Sequence, residues 1–141
     1  MRKLGLYGTG LLIVASLLIL IPKSHGQGTN QVELNPARLF FLVPPGHSAS
    51  QSTTLTNVGS ATLSISGITV QGYGAFHLTN NTCGSGVAAG KSCTITVTAN
   101  SFPPMLVASA TLYVYDNGGG SPQHVSLLGL GCSNIQCRPV N

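Results

Sequence analysis

Short runs of alternating apolar and polar residues, separated by turn residues, make up most of the chain after residue 32. The alternation is strictest over residues 93–99, where threonines interleave with Cys, Ile, Val and Ala, and over residues 110–115. The other candidate strands cover residues 39–43, 48–56, 63–70, 76–78 and 125–130. A period of two places successive side chains on opposite faces of a sheet, so the pattern predicts about seven β-strands.

Glycine, proline and asparagine clusters lie between these segments, and no helical periodicity is present after residue 26. Seven short strands without crossover helices favour an all-β fold, namely a single immunoglobulin-like antiparallel β-sandwich. We expect this domain to cover residues 33–131, after a flexible lead-in at 27–32 and before a short tail at 132–141. Gly67, inside the strand at 63–70, predicts a bulge or bend.

The first 26 residues have the order of a secretory signal peptide. Residues 1–3 are basic at Arg2 and Lys3, residues 4–21 carry no charge, and small residues at Ser24 and Gly26 form a cleavage site. We expect cleavage after Gly26 and export to the periplasm, the cell surface or the medium. The alternative is an uncleaved anchor, because 18 uncharged residues reach the lower limit for spanning a bilayer. Membrane contact is expected only in that case.

Removal of this segment changes the charge of the chain from +4 to +1, and leaves few groups for chemistry. The remaining cations are Arg38, Lys91 and Arg138, too few and too scattered to displace the counterions of a nucleic acid. The remaining carboxylates, Glu33 and Asp116, lie in different segments and do not predict a catalytic pair. We therefore predict no enzyme activity, no cofactor, no metal and no nucleic-acid partner.

The stretch CGSGVAAGKSC at 83–93 raises three interpretations. A phosphate-binding loop needs glycine at position 85, which is Ser85, and a helix after Ser92, where the pattern predicts a strand. Cys83, Cys93, Cys132 and Cys137 could supply four zinc ligands, but an exported protein meets an oxidising environment that favours disulfides. Four cysteines allow three pairings, and we predict Cys83–Cys93 with Cys132–Cys137.

Several dispersed segments, taken in order, resemble one known family. They are residues 55–65 (LTNVGSATLSI), 81–84 (NTCG), 89–95 (AGKSCTI), 110–117 and 121–127, followed by Gly129 and Gly131. Over residues 34–131 the chain resembles the bacterial choice-of-anchor D module, which is related to the ASH domain of abnormal-spindle and Hydin proteins. The resemblance implies an immunoglobulin-like sandwich akin to the PapD-like and major-sperm-protein folds. It also implies a cysteine pair at Cys83 and Cys93.

Members of this family are mostly non-catalytic secreted or surface modules, and the resemblance brings no catalytic residues. We therefore expect an exported binding or structural module of the cell envelope or surface, with a protein or carbohydrate partner. The alternative is a PapD-like periplasmic chaperone that offers an edge strand to a client protein.

Tyr113 and Tyr115 are the candidate partner-binding residues. If Leu112 and Val114 face the core, alternation places both tyrosines outward on one face of one strand. The family resemblance implies small polar residues at these positions, so exposed rings here indicate a recognition surface for a protein or a sugar. The alternative is cross-strand packing of the rings against neighbouring side chains.

Overall fold

The computed structural model describes residues 31–133 and Cys137, and the predicted signal peptide lies outside the described residues. Nine strands form in this part of the chain. They are β1 (Val32–Asn35), β2 (Arg38–Val43), β3 (Ala49–Asn57), β4 (Leu63–Gly72), β5 (Phe76–Asn81), β6 (Gly86–Val87), β7 (Ser92–Ala99), β8 (Val107–Asp116) and β9 (Gln123–Gly131). The seven predicted strands are all present, and the sequence pattern missed the short β1 and β6.

Two sheets pack face to face, as the immunoglobulin-like prediction requires. The four-stranded sheet has the order β1-β3-β7-β5, and the five-stranded sheet has the order β2-β9-β8-β4-β6. The prediction of a purely antiparallel sandwich needs one correction, because β2 pairs with β9 in parallel. Alternation of side chains reports which face a residue occupies and carries no information on strand direction, so the sequence could not show this pair.

The first strand segment divides between the two sheets at Pro36. β1 pairs with β3, whereas β2, only two residues later, pairs with β9 on the opposite side of the core. Proline has no N–H to donate to a ladder, so a strand is easily interrupted there. The hydroxyl of the buried Thr53 donates to the carbonyl of Pro36 at 2.8 Å and holds the crossing point against β3.

The core lies between the two sheets and is built from the inward positions of the alternating strands. The largest fully buried hydrophobic side chains are Phe41, Phe102, Leu55, Leu63, Ile95, Leu112, Leu127, Val43, Val97, Val114 and Val125. In β8, Leu112 and Val114 are both completely buried, as the pattern predicts. The bulge predicted at Gly67 is also present, as a shift in the pairing of β4 with β8 between Ile65 and Gly67.

Aromatic rings close one end of the core. Phe76 lies between Phe41 and Phe102, with ring centroids 5.4 Å and 5.5 Å away, and Tyr73 covers Phe102 at 5.9 Å. Gly129 leaves room for this cluster, because a Cβ at that position would stand 2.5 Å from the Phe102 ring.

The structure contains both disulfides of the predicted pairing. Cys83 and Cys93 are buried and bonded at an S–S distance of 2.06 Å, which joins the end of β5 to the start of β7. Cys132 is bonded to Cys137 directly after β9. The stretch at 83–93 is therefore a disulfide-closed loop containing β6, and β7 follows it where a phosphate-binding loop would need a helix.

The outer face of the five-stranded sheet as the candidate functional site

Tyr113 and Tyr115 lie on the outer face of the five-stranded sheet, as predicted, with ring centroids 6.3 Å apart. Tyr115 is 36% exposed, and its ring lies over Gly67 of the bulge in β4. Both rings point outward as predicted, although Tyr113 is partly buried. The two rings pack side by side and form a tyrosine pair.

Exposed apolar side chains concentrate on this same face. Of the eight large hydrophobic residues that are exposed in the described part of the chain, five lie here: Phe40, Leu42, Val107, Tyr115 and Leu128. Phe40 pairs with Leu128, and Leu42 and Val107 both pair with Leu130. These four residues and Leu130 form one apolar strip across β2, β9 and β8.

A polar trough separates the apolar strip from the tyrosine pair. Arg38 pairs with Ser126, Ser126 with Thr111, and Thr111 with Gln71, so one row of polar side chains crosses four neighbouring strands. The volume of the trough is about 470 Å³, within the range of ligand sites. Ser109 and Leu128 line its flank next to the apolar strip.

Three pairs of hydroxyl groups on the outer face of the four-stranded sheet bond to each other across the strands. Ser50 bonds to Thr98 at 2.8 Å, and Ser52 bonds to Thr96 at 2.9 Å. Thr56 bonds to Ser92 at 2.8 Å in the same way. That face is also free of exposed large hydrophobic side chains in the part of the chain that the structure describes. The two faces of the sandwich therefore differ in what they offer to a partner.

The other chemical candidates have structural roles or stand apart. The Oδ1 atom of Asp116 accepts the N–H of Gly118 at 2.6 Å and shapes the turn after β8, whereas Glu33 lies exposed on β1. All four cysteines are in disulfides. Among the described residues, no group of three or more His, Cys, Asp or Glu side chains is placed to hold a metal ion. The part of the chain that the structure describes contains no helix long and apolar enough to cross a bilayer.

Sequence reasoning found the tyrosine pair but missed the trough and the apolar strip. The apolar run at 39–43 predicted a strand but did not show which of its side chains face outward, and Phe40 and Leu42 are 47% and 48% exposed. The trough could not be found, because its four polar residues lie in four different segments of the sequence. Only the strand register brings these segments together.

Comparison with solved structures defines the fold. The chain superimposes on an ASH/PapD-like domain of human CEP192 (PapD-like domain 7) with a TM-score of 0.58 and 12% identity, over 74% of this chain and 87% of that one. The chain has a PapD/ASH-type immunoglobulin-like fold. No family model matches the sequence. No curated protein matches it either.

Other structures share this PapD/ASH-type fold at low identity. One is the secreted serine protease VesC from Vibrio cholerae, with a TM-score of 0.56 and 22% identity over 74% of this chain. The match spans only 23% of VesC. Another is the CsuC–CsuE chaperone–tip adhesion subunit complex of Acinetobacter baumannii Csu pili, with a TM-score of 0.50 and 13% identity, over 72% of this chain and 52% of the matched chain. Identities this low establish the fold alone.

Proposed function

We propose that this protein is a non-catalytic, exported binding module, of the choice-of-anchor D type, that recognises its partner with the outer face of the five-stranded sheet. The observation that carries the proposal is that, among the residues the structure describes, five of the eight exposed large hydrophobic side chains lie on this one face. Clusters of exposed apolar residues with polar neighbours are typical of recognition surfaces. The PapD/ASH-type fold supports a binding or assembly role.

Three further observations support export and the absence of catalysis. The basic start, the apolar run at 4–21 and Ser24-His25-Gly26 have the order of a signal peptide. Paired cysteines are typical of proteins that leave the cytoplasm. For catalysis, the described residues contain two carboxylates, and Asp116 is engaged in a turn.

The test is affinity capture from envelope extract and culture medium on the immobilised full chain, compared between variants. Replacing both Tyr113 and Tyr115 with serine should weaken capture by ~1–2 kcal/mol, the range for aromatic anchors of an interface. The control is Val58→Ser, since Val58 is exposed in a loop away from this face. Equal capture by the double variant and the control would show that the tyrosine pair is not part of the site.

The contact between the two rings determines how much stability the double variant should lose. Because the rings contact each other and Tyr113 is partly buried, the change should cost about 1–2 kcal/mol of unfolding free energy, more than for fully exposed positions. The variant should still fold, and its circular dichroism spectrum should match that of the parent protein.

A second candidate function, the chaperone-like presentation of an edge strand, is favoured by the geometry of β2. The carbonyls of Ala37 and Val43 accept the N–H groups of Ser126 and Cys132, at 3.1 Å and 3.3 Å. Backbone groups of alternate residues point to the same side of a strand, so those of Arg38, Phe40 and Leu42 point to the open edge. Among the described residues no strand pairs with this edge, so these groups are available to an added strand. The matched CsuC–CsuE structure is a chaperone–subunit complex.

Two substitutions at Leu42 distinguish this candidate from recognition by the sheet face. Leu42→Ala removes the side chain but keeps the outward N–H, whereas Leu42→Pro also removes the N–H. If a client adds a strand to β2, capture should fall much further for the proline variant than for the alanine variant. Equal losses in both variants would instead assign the contact to the side chain.

A further inference from the structure

Among the residues that the structure describes, the polar side chains of the trough have no hydrogen-bond or ion-pair partner. Arg38, Ser126, Thr111 and Gln71 make no side-chain hydrogen bond or ion pair among the described residues. On the outer face of the four-stranded sheet, three pairs of hydroxyl groups bond to each other across the strands. The trough therefore presents donors and acceptors that are available to a ligand.

The chemistry of the row follows from its four side chains. Arg38 stands at one end, and its planar guanidinium binds a carboxylate through two parallel hydrogen bonds. Ser126, Thr111 and Gln71 follow, and hydroxyl and amide groups both donate and accept. Three strand spacings separate Arg38 from Gln71, so the row is roughly 14–15 Å long at the backbone. This length suits an extended ligand with an acidic group and several neutral polar groups.

The number of cations limits the kind of acidic ligand. Arg38 and Lys91 are the only lysine or arginine side chains among the described residues, and Lys91 lies in the turn before β7, away from the trough. A polymer with one phosphate per unit would need several cations along its path. A ligand with one carboxylate near Arg38 and neutral groups beyond it needs only one cation.

The floor of the trough favours a sugar chain over a peptide. A peptide that adds to a sheet bonds to main-chain groups at an edge. The trough instead lies over central strands β9 and β8, and offers side-chain hydroxyls and an amide. Leu128 lines one flank, and Tyr113 follows Thr111 by two residues on the same face of β8. These apolar surfaces suit the C–H faces of sugar rings.

We propose that the trough is a binding site for an acidic oligosaccharide, with the carboxylate of one uronic-acid unit on Arg38 and sugar hydroxyls on Ser126, Thr111 and Gln71. This inference rests on the proposed function of the outer face and names the ligand class that the face takes. It adds a defined polar subsite beside the tyrosine pair.

The experiment is a titration of the ¹⁵N-labelled exported protein with a short xylo-oligosaccharide that carries one glucuronic-acid unit, followed by ¹H–¹⁵N NMR at physiological salt. Amide shifts should concentrate at Gln71, Thr111 and Ser126, and the Arg38 side-chain signal should move. The same oligomer with its one carboxylate reduced to an alcohol should bind about tenfold more weakly or not at all, because the charge-assisted bonds are lost.

Matched variants separate the trough from the rest of the surface. Arg38→Gln should lower the affinity for the glucuronate-bearing xylo-oligosaccharide about tenfold, and Thr111→Val should lower it about threefold while keeping the shape of the side chain. The controls are Lys91→Gln, which removes the other described lysine or arginine, and Thr96→Val, which removes a hydroxyl already bonded to Ser52. Neither control should change the affinity.

Three results would overturn the inference: no shifts at the trough, equal binding of the acidic and reduced oligomers, or an affinity that Arg38→Gln leaves unchanged. An acidic tetrapeptide that binds the same residues while the glucuronate-bearing xylo-oligosaccharide does not would refute the sugar class. The capture experiment with the Tyr113 and Tyr115 variant tests the proposed function separately. If capture depends on the tyrosine pair but the glucuronate-bearing xylo-oligosaccharide fails to bind, the proposed function stands and only the ligand class is wrong.

Discussion

Replacing Asn57 with alanine tests how one end of the sandwich is held together. Asn57 is completely buried at the end of β3. Its Nδ2 atom donates to the carbonyls of Ala61 and Val87, both at 2.8 Å, and its Oδ1 atom accepts the N–H of Gly59 at 3.0 Å. One side chain therefore connects β3, the loop after it and β6.

The expected loss of unfolding free energy for Asn57→Ala is about 3–4 kcal/mol. Each of the three hydrogen bonds contributes ~0.5–1.5 kcal/mol, and the buried carbonyl of Val87 is left without this donor, which adds ~1 kcal/mol or more. A domain of this size has a total stability of roughly 5–10 kcal/mol. The variant should therefore lie close to the limit of folding at 37 °C.

The assay is urea unfolding with both disulfides intact, analysed by linear extrapolation with the slope compared between variants. The matched control is Asn81→Ala, since the exposed Asn81 uses its Oδ1 atom for one hydrogen bond, from the N–H of Cys83 at 2.8 Å. The control should lose about 1 kcal/mol. If both variants lose the same free energy, the three bonds of Asn57 do not hold this end of the sandwich.

Asn57→Asp provides an independent check of the donor role. An ionised carboxylate would face two carbonyl oxygens in a buried site, so this variant should be less stable than Asn57→Ala at pH 7. A protonated carboxyl can donate one of the two bonds, so the deficit relative to the parent protein should shrink as the pH falls toward 4. A deficit that does not change with pH would contradict this role.

Three further predictions concern the disulfide, a glycine and the signal segment. Replacing Cys83 and Cys93 with alanine should lower stability by about 1–3 kcal/mol, a range that includes the loop-entropy value of about 2.8 kcal/mol. Urea unfolding measures the change, and no change would mean that the bond does not constrain the unfolded chain. Gly129→Ala should destabilise the protein strongly in a thermal melt, because its Cβ would stand 2.5 Å from a buried aromatic ring. A Cβ at Gly74 meets nothing within 4 Å, so Gly74→Ala should be tolerated in the same measurement. N-terminal sequencing of the exported protein should begin at Gln27, and an intact Met1 would contradict cleavage.

The alternation of side chains was enough to predict the fold class and most of the strands. Val125 and Leu127 are buried while Leu128 is exposed, as the pattern in β9 requires. The pattern succeeds here because burial on one face of a sheet constrains every second residue. Spacing and compartment likewise predicted the disulfide between Cys83 and Cys93, since a short loop brings its ends together at little entropic cost.

The tertiary structure alone decided how these strands form a surface. The parallel pairing of β2 with β9 places Phe40 beside Leu128 and Arg38 beside Ser126, although these partners are 88 residues apart. Local sequence cannot encode such contacts, because they depend on which strands become neighbours and in which direction they run. The tyrosine pair could be predicted since both rings belong to one strand, whereas the trough needed four strands in register.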